Sequence, residues 1–393
     1  MKICSNFAFF ILLINQACSN AQIPKEKNVL PGIYQIQLLS EQIQGKNMAV
    51  VANYGSIIEN THIVDTLLKM GMSVQTIFSP EHGFTGNFEA GADVSDSDDS
   101  NLAVPIVSLY GSKQKPEVED LTGLDIIIFD LQDVGVRFYT YISTLHYVMQ
   151  ACAENNISLI VLDRPNPNAR YVDGPVLDKN FTSFIGMHQV PVVYGMTIGE
   201  YAQMINGEGW LGDGLKCDLS VILNQNYSHT TPYNLPVKPS PNLPNMRSVY
   251  LYPSLCFFEG TIVSIGRGTD FPFQVFGHPD FSRKEFSFMP ESKPGASLNP
   301  KLKDQICYGV DLREFPLDSL QMQNNLNLNY LRIMFEDLNQ GEDFFTSYFD
   351  LLAGTDKFRK DILAGKSFES IQKSWSVELE SFKIIRAKYL LYP

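Results

Sequence analysis

The stretch Asp125–Tyr141, DIIIFDLQDVGVRFYTY, decides how the rest of the chain reads. An apolar run from Ile126 to Phe129 ends abruptly at Asp130, Gln132 and Asp133, and Gly135 then leads to Arg137, Tyr139 and Tyr141. A short apolar run bounded by polar and turn residues has the pattern of a strand buried on both faces, as in the middle of a parallel sheet. Its carboxylates lie where the strand stops. In open α/β sheets, ligands bind beyond the carboxyl ends of the strands.

Upstream, Met48–Asn53 (MAVVAN) reads as a strand, Ile63–Met70 as a helix closed by Gly71, and Val74–Phe78 as a second strand. Strand, helix and strand in succession form a βαβ unit, which implies parallel pairing. Further strands are expected at Val104–Tyr110, Ser158–Leu162, Val190–Tyr194 and Asp218–Leu223, with helices near Ile142–Ala153 and Ile198–Asn206. Pro165 and Pro167 turn the chain out of the sheet. The expected fold class is α/β, a Rossmann-like doubly wound and mostly parallel sheet over residues 28–237. The segment Tyr233–Asn245 (YNLPVKPSPNLPN) reads as a linker or a rigid site wall. Beyond it Phe257–Phe276 is loop-like, and helices at Phe344–Leu352 and Phe368–Ser376 mix with short strands, so residues 238–393 are expected to form a smaller α+β domain.

The 393 residues carry a net charge of -13 with no lysine or arginine cluster, which argues against nucleic acid as a partner. Lys2, the apolar run Phe7–Ile14 and Cys18 have the order of a signal peptide over residues 1–18. A lipoprotein signal would make Cys18 a lipidated membrane attachment; plain cleavage near Ala21 is the alternative. Either way the protein is expected to be exported, to the periplasm or to the outer membrane as an anchored lipoprotein. No GxGxxG loop and no Walker A loop are present, so no nucleotide cofactor is expected. Cys152, Cys217, Cys256 and Cys307 match neither a zinc pattern nor a disulfide framework; they read as buried thiols, with a Cys217–Cys256 pair as the alternative. The acidic run Glu89–Ser100 lacks the EF-hand pattern and reads as a solvated loop.

Four strand ends therefore bring polar clusters to one edge of the sheet: Asn53; Glu81 and His82; Asp130, Gln132 and Asp133; Asp163, Arg164 and Asn166. Glu81, set between Pro80 and Gly83, is a candidate general acid, with His82 orienting it by a hydrogen bond. Asp130 and Asp133 suit glycosidic cleavage as paired carboxylates, or a magnesium-dependent phosphoester site, or a structural ion pair with Arg137. Arg137, Arg164 and Arg267 each adjoin a turn, where a guanidinium grips a carboxylate. Tyr139 and Tyr141 offer rings to a sugar face or to the core. No GxSxG elbow marks a serine hydrolase.

The motifs SPEHGFTG from Ser79, SLYG from Ser108, FDLQDVGVRFYTY from Phe129, LDRPNP from Leu162, GMTIGE from Gly195, PSPNLP from Pro239, FEGT from Phe258, GRGT from Gly266 and YLLYP from Tyr389 follow one another in a fixed order. In this the chain resembles the NamZ family of exo-β-N-acetylmuramidases over nearly its whole mature length. The resemblance implies release of N-acetylmuramic acid from non-reducing ends of peptidoglycan fragments, in a cleft between a Rossmann-like domain and a smaller C-terminal one. It implies Glu81 as the acid, with His82 and Asp133 beside it. Gln132, Arg137, Asp163, Arg164, Asn166, Asn242, Glu259 and Arg267 are the implied cleft residues, to which the strand-end reading adds Asp130 and Tyr139. An arginine there would answer the lactyl carboxylate of muramic acid. The chain departs from the family pattern at Ile265, at Gly277–Asp280 and at Asn224–Tyr227, so loops that set subsite preference are expected to differ.

Overall fold

In the computed structural model, residues 28–86 and 104–393 are described. The signal segment with Cys18 and the acidic run Glu89–Ser100 lie outside them. Six strands form the central sheet: β1 (Asn47–Ala52), β2 (Ser73–Ser79), β3 (Ile106–Ser108), β4 (Ile126–Asp130), β5 (Ser158–Leu162) and β6 (Leu219–Ile222). Their spatial order is β3-β2-β1-β4-β5-β6 and every pairing is parallel. This is the doubly wound order, with its reversal between β1 and β4.

The alternation hidden inside the apolar run of β4 builds two layers. Ile126 and Ile128 pack with Leu39 and Ile43 of α1 (Ile36–Ile43) and Val64 and Leu67 of α2 (Ile63–Lys69). Ile127 and Phe129 face the other way, onto Leu145 and Val148 of α3 (Tyr141–Asn155) and Ile205 of α4 (Ile198–Gly207). Both faces of the strand are thus buried, which is why its sequence shows no polar alternation.

The C-terminal part contains helices α5 (Met246–Leu255), α6 (Leu317–Gln321), α7 (Asn329–Leu338), α8 (Tyr348–Ala353), α9 (Lys357–Leu363), α10 (Phe368–Ser374) and α11 (Ser376–Arg386). It also holds a small antiparallel sheet of β7 (Val275–His278), β8 (Ser287–Phe288) and β9 (Cys307–Asp311), in the order β8-β9-β7. Phe257, Phe276, Phe344 and Phe349 fill its interior and belong to the same apolar cluster as the α3 and α4 layer. A single core therefore runs through both parts of the chain. Among the described residues, no helix is long and apolar enough to cross a membrane.

Two expectations are corrected. Val190–Tyr194 is not a strand: Val193 makes only isolated bridges to Val136 and Asp173, and the carbonyls of Val190 and Val192 accept from the side chain and backbone of Arg137. Its apolar residues are buried as a crossing loop that Pro191 cannot extend into a ladder. Phe257–Phe276 is not wholly loop, since a 3-10 turn at Cys256–Gly260 and β7 lie within it. The four cysteines of the described residues are free and buried, as the thiol reading expects, and the alternative pair does not form, because Cys217 has Cys152 beside it rather than Cys256.

Arg137 leaves the cleft altogether. It is fully buried and clasps the two parts together. Nη1 donates to the carbonyls of Pro175 (2.8 Å) and Val190 (2.7 Å), while Nη2 donates to Leu352 (3.0 Å) and Ala353 (2.7 Å) at the end of α8. Burial pulls its pKa down to about 9, which still leaves it charged at neutral pH. A cation at a helix C-terminus meets the negative end of the dipole and the carbonyls that the helix leaves unpaired. Gly354 follows with φ 72°, and a Cβ there would lie 2.6 Å from Nη2. Neither Asp130 nor Asp133 pairs with this arginine.

Replacing Arg137 by Met removes a donor from four buried carbonyls, of which Val190 keeps the backbone N–H of Leu177. We expect a loss of about 3–5 kcal/mol, seen as a lower denaturant midpoint, with Arg137→Lys recovering only part because an ammonium cannot reproduce the planar fork. An unchanged midpoint in Arg137→Met would show that the clasp contributes nothing to stability.

Candidate active site

At the reversal point between β1 and β4, where doubly wound folds receive nucleotides, side chains fill the crevice. Asp130 is fully buried and accepts both Nε (2.6 Å) and Nη2 (2.8 Å) of Arg164, itself buried. Asn53 donates to the Tyr141 hydroxyl at 2.7 Å, and Gln132 donates to the carbonyls of Asp133 and Pro165, both at 2.8 Å. The space left beside Asn53, Gln132 and Arg164 is about 10 Å³, room for about one water molecule.

The large cleft opens to one side of this plug. Its volume is about 520 Å³, and its walls come from both parts of the chain. One wall holds Glu81, His82, Tyr139 and Thr140; the other holds Glu259, Arg267, Lys301 and Tyr348; Ser240 and Asn242 of the Pro/Asn-rich segment close a side. That segment is thus a site wall rather than a spacer.

Glu81 lies two residues past β2, and the hydroxyl of Thr140, just before α3, donates to its Oε2 at 2.6 Å. His82 adopts φ 72°, a left-handed conformation that costs a residue with a Cβ on the order of 1 kcal/mol. Its Nε2 lies 3.2 Å from the Ser240 hydroxyl, which also accepts the backbone N–H of Asn242 at 3.1 Å. Asn242 donates through Nδ2 to Ala296 at 3.0 Å, while its buried Oδ1 has no protein partner and can accept from a ligand hydroxyl or amide. Tyr139 presents its ring to the cleft and anchors its hydroxyl on the Pro239 carbonyl at 2.6 Å.

On the opposite wall, Arg267 Nη1 donates to Glu259 Oε1 at 2.6 Å, and the Cys256 thiol is 3.9 Å from Glu259 Oε2. The buried Nε of Arg267 has no protein acceptor. Lys301 donates to the carbonyls of Phe258 (2.8 Å), Glu259 (3.3 Å) and Thr261. Burial pulls its pKa down to about 8.

The expected site residues therefore separate into three groups. Glu81, His82, Tyr139, Asn242, Glu259 and Arg267 line the cleft; Gln132 and Arg164 border only the water-sized crevice. Asp130, Asp133, Arg137, Asp163 and Asn166 line neither, and each is buried and held inside the fold by hydrogen bonds. Asp133 accepts the N–H of Gly135 at 2.8 Å and the Tyr194 hydroxyl, holding the turn after β4. Asn166 lies against Gly135, where a Cβ would come within 2.2 Å of its Nδ2, and donates to Met196. Asp163 sits at the N-terminus of α4, accepting from Gly199 N (2.8 Å), Tyr392 OH (2.6 Å) and Asn224 Nδ2 (3.2 Å). Thr140, Ser240, Lys301 and Tyr348 are additions; the first two stand inside motifs already singled out, whereas nothing local marks Lys301 or Tyr348. No group of three or more His, Cys, Asp or Glu side chains that could hold a metal occurs among the described residues.

Comparison with known proteins follows this geometry. Residues 48–247 match the family described as exo-beta-N-acetylmuramidase NamZ, N-terminal, and residues 250–392 match its C-terminal counterpart. The peptidoglycan beta-N-acetylmuramidase NamZ of Bacillus subtilis (strain 168) is 36% identical over 372 residues, covering 90% of this chain and 88% of that protein. Two crystal structures of DUF1343 family proteins from Bacteroides fragilis NCTC 9343 share the fold. One has a TM-score of 0.86 at 45% identity, covering 93% of this chain and 99% of its own; the other has 0.79 at 25%, covering 94% and 100%.

The fate of Asp133 is open to measurement. Burial raises its pKa from 3.8 to about 6, against the lowering effect of Tyr194 and Gly135. The folded state thus holds this proton more tightly than the unfolded chain, so its contribution to stability is full below about pH 4 and is lost as pH rises to about 6. Asp133→Asn, which mimics the protonated acid, should flatten that part of the stability profile by about 2–3 kcal/mol. If Asp133 is structural, the variant also keeps its cleft chemistry; loss of turnover without loss of stability would return Asp133 to the site.

Proposed function

The chain belongs to the NamZ family of exo-β-N-acetylmuramidases, and from that premise we propose that it removes N-acetylmuramic acid from the non-reducing ends of peptidoglycan fragments. The observation that carries the mechanism is the presence of two carboxylates, Glu81 and Glu259, lining one cleft. Glycosidic cleavage uses such a pair, one protonating the leaving oxygen and the other serving the opposite face of the sugar or the positive charge that develops at its anomeric carbon. The Thr140 hydroxyl donates to Oε2 of Glu81 and orients the carboxyl group in the cleft. The ion pair with Arg267 orients Glu259 for the second role, for which the sequence offered Asp133 only as one catalytic candidate.

Substrate choice follows from the arginines. Arg137 and Arg164 are committed inside the fold, whereas Arg267 lines the cleft with its Nε unpaired. It is the group placed to meet the lactyl carboxylate that distinguishes muramic acid from N-acetylglucosamine. A phosphoester reading loses its support, because Asp130 is chelated by Arg164 and Asp133 is turned into the turn after β4. The proposal extends to a role in cell-wall turnover and recycling, and to export with attachment through a lipidated Cys18. Its support there is the order of Lys2, Phe7–Ile14 and Cys18 in the sequence.

Incubation with a disaccharide bearing N-acetylmuramic acid at its non-reducing end should give the free sugar by mass spectrometry, and Glu81→Gln should abolish release at an unchanged melting temperature. Binding of the disaccharide by calorimetry without turnover of the wild type would instead identify a muropeptide-binding protein. Arg267→Leu is expected to lower kcat/KM by about 10- to 100-fold, the worth of a hydrogen bond to a charged group. An equal rate in that variant would remove the arginine from carboxylate recognition.

A further inference from the structure

Glu259 is carried by the 3-10 turn Cys256–Gly260, after which the chain reverses at Thr261. Lys301, which approaches from more than forty residues along the chain, aims its ammonium at this end. Its three hydrogens meet three carbonyl oxygens: Phe258 at 2.8 Å, Glu259 at 3.3 Å and Thr261 at a shorter distance. Phe258 O also accepts the backbone N–H and hydroxyl of Thr261, both at 3.0 Å, so the ammonium and the chain reversal lock one another. A cation there also meets the negative end of the turn's dipole. The same side chain lines the cleft beside Glu259 and Arg267.

We propose that Lys301 is a positioning residue for the reaction, a cationic cap that fixes the turn carrying Glu259 and so sets where its carboxylate stands against the sugar. The proposal rests on the muramidase reading for its catalytic consequence, but the capping itself does not. All three ammonium hydrogens are engaged by the main chain, so Lys301 acts through Glu259 and not on the substrate. An ammonium has the three donors this arrangement requires; a neutral amine has two and must release one carbonyl. The groups facing it are Glu259, which favours its charge, Arg267, which opposes it, and the Cys256 thiol. Burial is the larger influence and brings its titration to about 8, so the cap is complete below that pH and opens as pH rises through it.

Two readouts on the full chain test this. In kinetics, Lys301→Met should lower kcat by about 10- to 100-fold, the cost of misplacing a catalytic group by about an ångström, with KM changed less than about threefold. Wild-type kcat should fall on the alkaline side with an apparent pKa near 8, and that limb should disappear from the residual activity of Lys301→Met. In hydrogen exchange, amides of residues 256–261 should lose protection in Lys301→Met, and in the wild type between pH 7 and 9.5 after correction for intrinsic rates. The wild-type titration decides the matter even if the variant fails to fold. Unchanged protection at 256–261 across both comparisons overturns the cap whatever the enzyme's substrate. Lost protection with wild-type kcat overturns the catalytic consequence alone, and absence of turnover in the wild type overturns the muramidase reading while leaving the cap to be judged by exchange.

Discussion

The guanidinium of Arg137 is the constraint on which the architecture depends. It is a buried charge with no carboxylate partner, stabilised by four carbonyls drawn from the loops beside the sheet and from the end of α8. Desolvating such a charge costs several kcal/mol, so the fold is stable only with all of those acceptors in place. The arrangement ties the turn after β4, the crossing loop at Val190–Tyr194 and α8 into one body. Since Tyr348 at the start of α8 lines the cleft, the separation of the walls is fixed by a residue that never reaches it.

The sheet's reversal point shows how a dinucleotide-type architecture can serve another chemistry. The Asp130–Arg164 pair, Asn53 and Gln132 occupy the crevice that nucleotides use, and the site is displaced toward β2 and the C-terminal part. A fold does not determine a ligand, and here the side chains at four strand ends decide which of them reach solvent.

The sheet was legible because buried parallel strands are apolar on both faces, so β1, β4 and β5 stand out as runs with abrupt polar ends. The crossing loop Val190–Tyr194 was misread for the same reason: burial alone makes a segment apolar and β-branched, whether or not its backbone joins a ladder. The cleft was half legible. A carboxylate after a strand looks the same in sequence whether it turns toward solvent, as Glu81 does, or back into the fold, as Asp133 and Asp163 do. What separates them is the donor waiting nearby, Tyr194 for one and the α4 N-terminus with Tyr392 for the other. Lys301 had no local signal at all, because its importance lies in three carbonyls 40–43 residues away.

The closing YLLYP motif has no part in the cleft, yet it completes the first half of the chain. Tyr392 donates to Asp163 across 229 positions, and the backbone N–H of Leu391 donates to Glu200, which is fully buried beside His229. The order of synthesis and the order of completion are therefore opposed. A nascent chain can form β1 to β6 long before residues 389–392 exist, but until then two carboxylates at the base of α4 lack their covering donors. The final closure is a long-range event of the kind that slows folding, and a chain interrupted between the two family-matched regions would expose those carboxylates to water rather than release a finished domain.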